Sequence, residues 1–138
     1  MPRLDLRGIV MHRAALAFLV CCALTAGHAA HAQTQRFVVY FQEWSAGFDD
    51  PAQAVIIQAA DYAKQHPGVR LRVSGFADPT GSKAANVLLA DLRAQRVVDQ
   101  LQTDGIPTSR IQQRGHGPVQ FAMSSQESRR VEISVGGR

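Results

Sequence analysis

The segment from residue 75 to residue 97 constrains the fold more than any other part of the chain. It passes from a glycine through a short polar turn, residues 78–81, into a long run of helix-forming residues. An alternating apolar and basic run precedes it, so the segment predicts a strand, a loop and a helix in succession. Asn86 and Arg93 are seven positions apart, about two helical turns, and project from one face. With Asp78 in the loop before the helix, an acid, an amide and a guanidinium are predicted to converge on one small ligand.

The spacing of these residues resembles the signature of the OmpA-like, peptidoglycan-associated domain family. The family has an aspartate, a glycine three positions later, then Asn-x-x-Leu and Arg-Ala-x-x-Val. The matching positions here are Asp78, Gly81, Asn86, Leu89, Arg93, Ala94 and Val97. Later marks of the family follow in the same order, at Asp104-Gly105, Arg110-Ile111, Gly115-x-Gly117 and Arg129-Arg130-Val131. The resemblance covers residues 37–135.

Apolar patterning divides the part of the chain after residue 32 into six elements. The predicted strands are residues 37–41, 69–73, 109–114 and 130–135, and the predicted helices are residues 50–65 and 83–103. We expect the first strand to be buried on both faces and the second, where apolar residues alternate with arginine, on one. Asp49 and Pro51 are typical of a helix start. The order β-α-β-α-β-β predicts an α/β fold, a two-layer sandwich with two helices packed on one mixed sheet, and the resemblance implies the same OmpA-like sandwich.

Residues 1–32 have the pattern of a secretory signal peptide. Arg13 precedes an apolar run, residues 14–26, and a small-x-small sequence stands at residues 30–32. Met11 is an alternative start that gives a more ordinary signal length. A retained amphipathic anchor is the competing interpretation. We expect cleavage, a domain at residues 33–138 without a transmembrane segment, and a periplasmic, cell-wall-associated location with outer-membrane association left open.

Cleavage would also change the chemistry of the chain. Both cysteines, Cys21 and Cys22, would be lost, which leaves neither a disulfide nor a thiolate ligand. Lipidation of either cysteine is the alternative, although Val20 precedes the first where lipidation favours a small residue. The cleaved segment holds three arginines and one aspartate, so the formal net charge would fall from +4 to +2. Such a weak charge does not indicate a nucleic-acid partner.

The resemblance implies a non-covalent peptidoglycan-binding module of the Gram-negative envelope. Its ligand is the meso-diaminopimelate of the stem peptide, which carries an ammonium and a carboxylate on one carbon. Asp78 would face the ammonium, and Arg93 would hold the carboxylate through a bidentate pair. Arg129 matches a second arginine of the family that turns toward the ligand, whereas Arg130 is expected to face away. The predicted ligand-binding residues are Asp78, Thr80, Gly81, Asn86, Arg93 and Arg129.

Each of these residues also has a structural interpretation. An acid in such a loop often forms a turn, and we expect its substitution to leave folding nearly unchanged because a loop acid has little core to lose. Arg93 at the border of a helical core stripe often pairs with a nearby acid. Asn86 either holds the ligand or braces the loop. Trp44, in the first loop, either stacks on the stem peptide or packs, and packing is favoured.

We expect no enzymatic activity, cofactor or metal. His66 and His116, the histidines after residue 32, lack the spacing of a metal pair, and no nucleophile motif is present. The alternative function is an envelope protein–protein interaction domain of the same fold that does not bind cell wall. Leu88 and Leu92, on a different side of the second helix from its core stripe, would then contact the protein partner.

Overall fold

Two long helices cover one face of a four-stranded sheet in the computed structural model, which describes residues 33–118 and 124–136. The strands are β1 (Gln35–Tyr40), β2 (Leu71–Ala77), β3 (Ile111–Pro118) and β4 (Arg130–Val135). The helices are α1 (Asp50–Gln65), α2 (Lys83–Thr103) and the short α3 (Ser125–Ser128), and a 3₁₀ turn spans Thr108–Arg110. The predicted signal peptide and both cysteines lie outside the described residues.

The sheet is mixed, with the strand order β1-β4-β2-β3. β4 pairs antiparallel with both β1 and β2, and β2 pairs parallel with β3. Parallel neighbours need a crossover connection, and α2 supplies it between β2 and β3. The predicted α/β sandwich with the order β-α-β-α-β-β is therefore confirmed. The 3₁₀ turn and α3 were not predicted from the sequence.

The helix boundaries follow from local capping. Asp49 accepts a hydrogen bond from the Ala52 backbone N–H at 3.0 Å, and Pro51 stands in the first turn of α1. Ser82 caps α2 through a 3.4 Å bond from the Ala85 N–H. Both long helices end within the predicted bounds.

In the described part of the chain, no helix is both long and apolar enough to cross a bilayer.

One stripe on each long helix packs on the sheet to form the core. From α2 the predicted stripe residues Ala90, Ala94, Val97 and Leu101 are fully buried, and Leu89 is half-buried. Burying a large aliphatic side chain contributes about 1.5–3 kcal/mol, so this interface supplies much of the stability. Asn86 and Arg93, predicted to border the stripe, are themselves buried.

The prediction that the first strand is buried on both faces is wrong. Val39 is fully buried, but its neighbour Tyr40 is 46% exposed. β1 is an edge strand that pairs with β4, and α1 and α2 pack on the side of the sheet that carries Val39. The second strand alternates as predicted, with Leu71 and Val73 buried and Arg72 exposed, but it continues beyond residue 73 to Ala77.

A glycine in β2 lets α2 approach the sheet closely. A Cβ atom at Gly75 would lie 2.1 Å from the carbonyl oxygen of Ala90 and 3.1 Å from the Cβ of Ala94. Both contacts are with the helix itself, so no side-chain rotation can relieve them. The close approach sets the depth at which α2 presents Arg93 to the loop after β2.

We expect Gly75→Ala to lower the free energy of unfolding by about 1–3 kcal/mol or more, because the added methyl would force the helix backbone away from the strand. Gly68→Ala is the matched control, since a Cβ there meets nothing within 4 Å. Denaturant unfolding of both variants checks the expectation. Equal free energies of unfolding for the Gly75 and Gly68 variants would contradict the expectation, since α2 could then move away from β2 at no energetic cost.

Candidate functional site

A narrow cleft lies at the carboxyl end of β2, between the loop that follows this strand, α2 and the loop that joins β1 to α1. Its lining residues are Glu43, Trp44, Ala77, Asp78, Asn86, Leu89, Arg93 and Arg129. The open volume between them is about 10 Å³, enough for roughly one water molecule. Four of the six predicted ligand-binding residues thus lie around one space.

Asp78 is buried in an ion pair, with only 5% of its surface exposed. One carboxylate oxygen accepts hydrogen bonds from the backbone N–H and the hydroxyl of Thr80. The other lies 3.1 Å from Nη1 of Arg129, whose side chain is also largely buried. Burial alone would raise the pKa of Asp78, but the bonds from Thr80 and Arg129 outweigh it and lower the pKa below 3.8. The carboxylate is therefore charged at neutral pH.

Asn86 braces the loop in which Asp78 lies. Its amide Nδ2 donates to the carbonyl oxygen of Thr80 at 2.7 Å, across the first turn of α2. Hydrogen bonds therefore hold both the carboxylate of Asp78 and the carbonyl of Thr80 in this loop. Of the two roles open for Asn86 in the sequence, the structure shows the brace directly.

Arg93 is fully buried and holds the loop between β1 and α1. Its Nε donates to the carbonyl oxygen of Ser45 at 2.7 Å, and its Nη2 donates to that of Gln42 at 2.9 Å. The guanidinium carbon lies 5.3 Å from the centre of the Phe41 ring, within the range of a cation–π contact. Gln42 and Ser45 begin and end a four-residue turn, closed by a 3.3 Å bond between their backbones. One side chain thus clamps both ends of this turn.

One nitrogen of Arg93 is left for a ligand. Nη1 is buried and has no hydrogen-bond partner among the described residues. Burial and the nearby charge of Arg129 lower the pKa of Arg93 to about 10, while Asp78 acts in the opposite direction, so the guanidinium stays charged at neutral pH. A buried cation with an unsatisfied donor favours an anionic or carbonyl acceptor. The Nε–Nη2 edge, however, is occupied by backbone carbonyls rather than open to a carboxylate.

Sequence reasoning missed how Trp44 takes part in the cleft. Its backbone is in the left-handed region, with φ = 54°, and the side chain is 60% exposed. The edge of its indole packs on Gly81, where φ is 84° and an added Cβ would lie 2.9 Å from the ring. Gly81, one of the predicted ligand-binding residues, is thus seen in contact with Trp44. No pattern in the sequence predicts such a contact between two loops that are far apart along the chain.

The burial of Asp78 corrects the expectation that its substitution would leave folding nearly unchanged. We expect Asp78→Asn to lower the free energy of unfolding at pH 7 by about 1–3 kcal/mol, because it removes the charge that pairs with Arg129. A carboxyl with a lowered pKa stabilises the fold above its unfolded pKa of 3.8 and loses that effect as pH falls through the folded value. The difference between wild type and variant should therefore shrink below about pH 4.

Glu43→Gln is the matched control for this pH series, since Glu43 lines the same cleft but is exposed. Denaturant unfolding between pH 7 and pH 3 gives the comparison. A variant at Asp78 as stable as wild type at pH 7 would mean that the ion pair does not stabilise the fold.

Comparison with known proteins identifies relatives of this chain. The model of the OmpA family matches residues 40–133. The probable lipoprotein YiaD of Escherichia coli (strain K12) is 31% identical over 103 residues, which cover 70% of this chain and 47% of that protein. The peptidoglycan-associated lipoprotein of Legionella pneumophila is 34% identical over 80 residues, which cover 54% of this chain and 46% of that protein. The chain thus spans about half the length of these two relatives.

A solved structure extends the likeness to the fold. The crystal structure of the peptidoglycan-associated lipoprotein from Burkholderia pseudomallei superimposes with a TM-score of 0.66 at 25% identity, over 72% of this chain and 90% of that one. The family model covers well over half of the chain and includes the cleft residues from Trp44 to Arg129. The protein therefore belongs to the OmpA family.

Proposed function

We propose that this protein is a non-covalent peptidoglycan-binding module of the Gram-negative cell envelope, acting in the periplasm at the cell wall. Support comes first from the relatives, two of which are named peptidoglycan-associated lipoproteins. It comes also from the cleft, where a carboxylate and a guanidinium line one space. The proposal depends most on Arg93, which lines this space and whose buried Nη1 is a charged donor without a partner among the described residues.

The proposed ligand group is the zwitterionic end of meso-diaminopimelate in the stem peptide. Its ammonium would approach Asp78, whose oxygens retain lone pairs beyond those used by Thr80 and Arg129. Its carboxylate would accept from Nη1 of Arg93 and lie near Arg129, so that two cations face one anion. Asn86, Thr80 and Gly81 would act by holding the loop that carries Asp78. This arrangement needs only one nitrogen of Arg93, unlike the bidentate grip expected from the sequence.

We propose a binding role rather than a catalytic one. Asp78, Arg93 and Arg129 use most of their polar atoms to hold loops together, which suits recognition more than proton transfer. Within residues 33–118 and 124–136, no group of three or more histidine, cysteine, aspartate or glutamate side chains is placed to hold a metal ion.

The second candidate is an envelope protein–protein interaction domain that does not bind cell wall. Leu88 and Leu92 favour it, since they are 70% and 52% exposed and lie one turn apart on α2. Pull-down on intact sacculi compared with enzymatically digested sacculi separates the two functions. Retention on intact sacculi but not on digested sacculi supports peptidoglycan binding. Retention on neither sample supports the protein–protein interaction domain.

We expect calorimetric titration to show that a stem tripeptide ending in meso-diaminopimelate binds more tightly than the same tripeptide ending in lysine, which lacks the second carboxylate. Asp78→Asn should weaken binding of the first peptide at least about tenfold, because a charge-assisted contact contributes roughly 1.5–3 kcal/mol. Equal affinity of wild type for the two peptides would argue against recognition of the zwitterion.

We expect Arg93→Lys to lower both the melting temperature and the affinity for the diaminopimelate tripeptide. Lysine keeps the charge but cannot donate to Ser45 and Gln42 at once, so the clamped turn is released. A fall of at least about 4 °C is expected for a domain of this size. Arg96→Lys, at an exposed position on the same helix, is the control. Full binding and an unchanged melt in the Arg93 variant would refute both roles.

A further inference from the structure

Trp44 connects the two loops that border the cleft. It lies in the turn clamped by Arg93, and its indole reaches the loop before α2, where it packs on the backbone of Gly81. Trp44 lines the cleft together with Asp78 and Arg93. The residue is nevertheless 60% exposed. It therefore stands at the edge of the cleft beside the charged groups and is not part of the core.

The position of the ring is determined by its backbone and not by its own burial. Trp44 is the one non-glycine residue of the described chain with a positive φ, a conformation that is unfavourable for a bulky side chain. The bonds from Arg93 to the carbonyls of Gln42 and Ser45 hold the turn in this shape. The indole N–H makes no hydrogen bond to any described residue, so no polar contact fixes the ring itself.

The open volume of the cleft is too small for the proposed ligand group. About 10 Å³ admits roughly one water molecule, whereas an ammonium and a carboxylate on one carbon comprise five non-hydrogen atoms. Asp78, Asn86 and Arg93 are buried and hydrogen-bonded, so they cannot make room cheaply. Trp44 and Glu43 are the exposed residues of the lining, and neither side chain is held by a hydrogen bond to a described residue. Of the two, Trp44 has the larger side chain and also contacts the loop before α2, so moving it would enlarge the cleft more.

We propose that Trp44 is the gate and the apolar wall of this site: its ring covers Asp78 and Arg93 in the empty protein, turns outward to admit the ligand, and then packs against the aliphatic chain of the diaminopimelate residue. The inference rests on the proposed peptidoglycan-binding function and adds a residue that determines access and specificity. The ring face also attracts the ligand ammonium, as aromatic faces attract cations.

The gate has a kinetic signature that a purely structural residue lacks. In Trp44→Ala the cleft is open, so association with the diaminopimelate tripeptide should become faster. The variant also lacks the aromatic ring that would pack against the ligand, so dissociation of the tripeptide should accelerate by about fivefold or more. Trp44→Phe keeps an aromatic wall and should restore slow dissociation. Because the side chain is mostly exposed, we expect both variants to fold, and a thermal melt checks this.

Tryptophan fluorescence provides the direct test, since the chain contains a single tryptophan. The diaminopimelate tripeptide is titrated into the wild-type protein while calorimetry records binding in parallel. We expect the emission to change saturably at the calorimetric midpoint, and quenching by acrylamide to decrease as the ring packs on the ligand. In stopped-flow measurements, Trp44→Ala is followed by competition with a labelled tripeptide.

The outcomes separate this inference from the function on which it rests. Calorimetric binding without any change in fluorescence, or with rates unaltered in Trp44→Ala, overturns the gate and leaves peptidoglycan binding intact. Absence of calorimetric binding to both the tripeptide and intact sacculi overturns the proposed function and the gate together. Matching midpoints with faster association and dissociation in Trp44→Ala support both.

Discussion

The buried guanidinium of Arg93 is the interaction on which the arrangement of the site depends. Removing a charge from water costs several kcal/mol unless other groups replace the lost hydration. Here the carbonyl oxygens of Gln42 and Ser45 and the face of Phe41 replace it. The same contacts join α2 to the turn after β1. The residue that the sequence predicts to bind a ligand therefore also positions the loop that borders the cleft.

Charges of both signs lie around the cleft. Arg93 and Arg129 lie close enough for the second to lower the pKa of the first, and Asp78 neutralises only part of their combined charge. A carboxylate between the two arginines would relieve that repulsion. With Glu43, the lining thus holds two carboxylates and two guanidinium groups, so it offers partners to charges of either sign.

Local signals in the sequence account for the parts of the fold that were predicted correctly. Asp49 and Pro51 define the start of α1, and the pattern from residue 83 to residue 103 defines α2, because capping and helical periodicity act over a few neighbouring residues. Convergence of Asp78 and Arg93 follows from the same kind of argument. A strand, a loop and a helix in direct succession leave few ways to arrange them.

The sequence by itself thus determined the element order, the family and the convergence of Asp78, Asn86 and Arg93 on one cleft. Only the tertiary structure decided what each of them does there. The acceptors of Arg93 lie 48 and 51 residues away and are backbone carbonyls, which every residue type carries, so no sequence pattern identifies them. Likewise, Tyr40 is exposed because β1 ends up at the sheet edge. Trp44 lines the cleft because the guanidinium of Arg93, 49 positions along the chain, holds its turn. Such contacts arise from long-range packing, which leaves no local periodicity in the sequence.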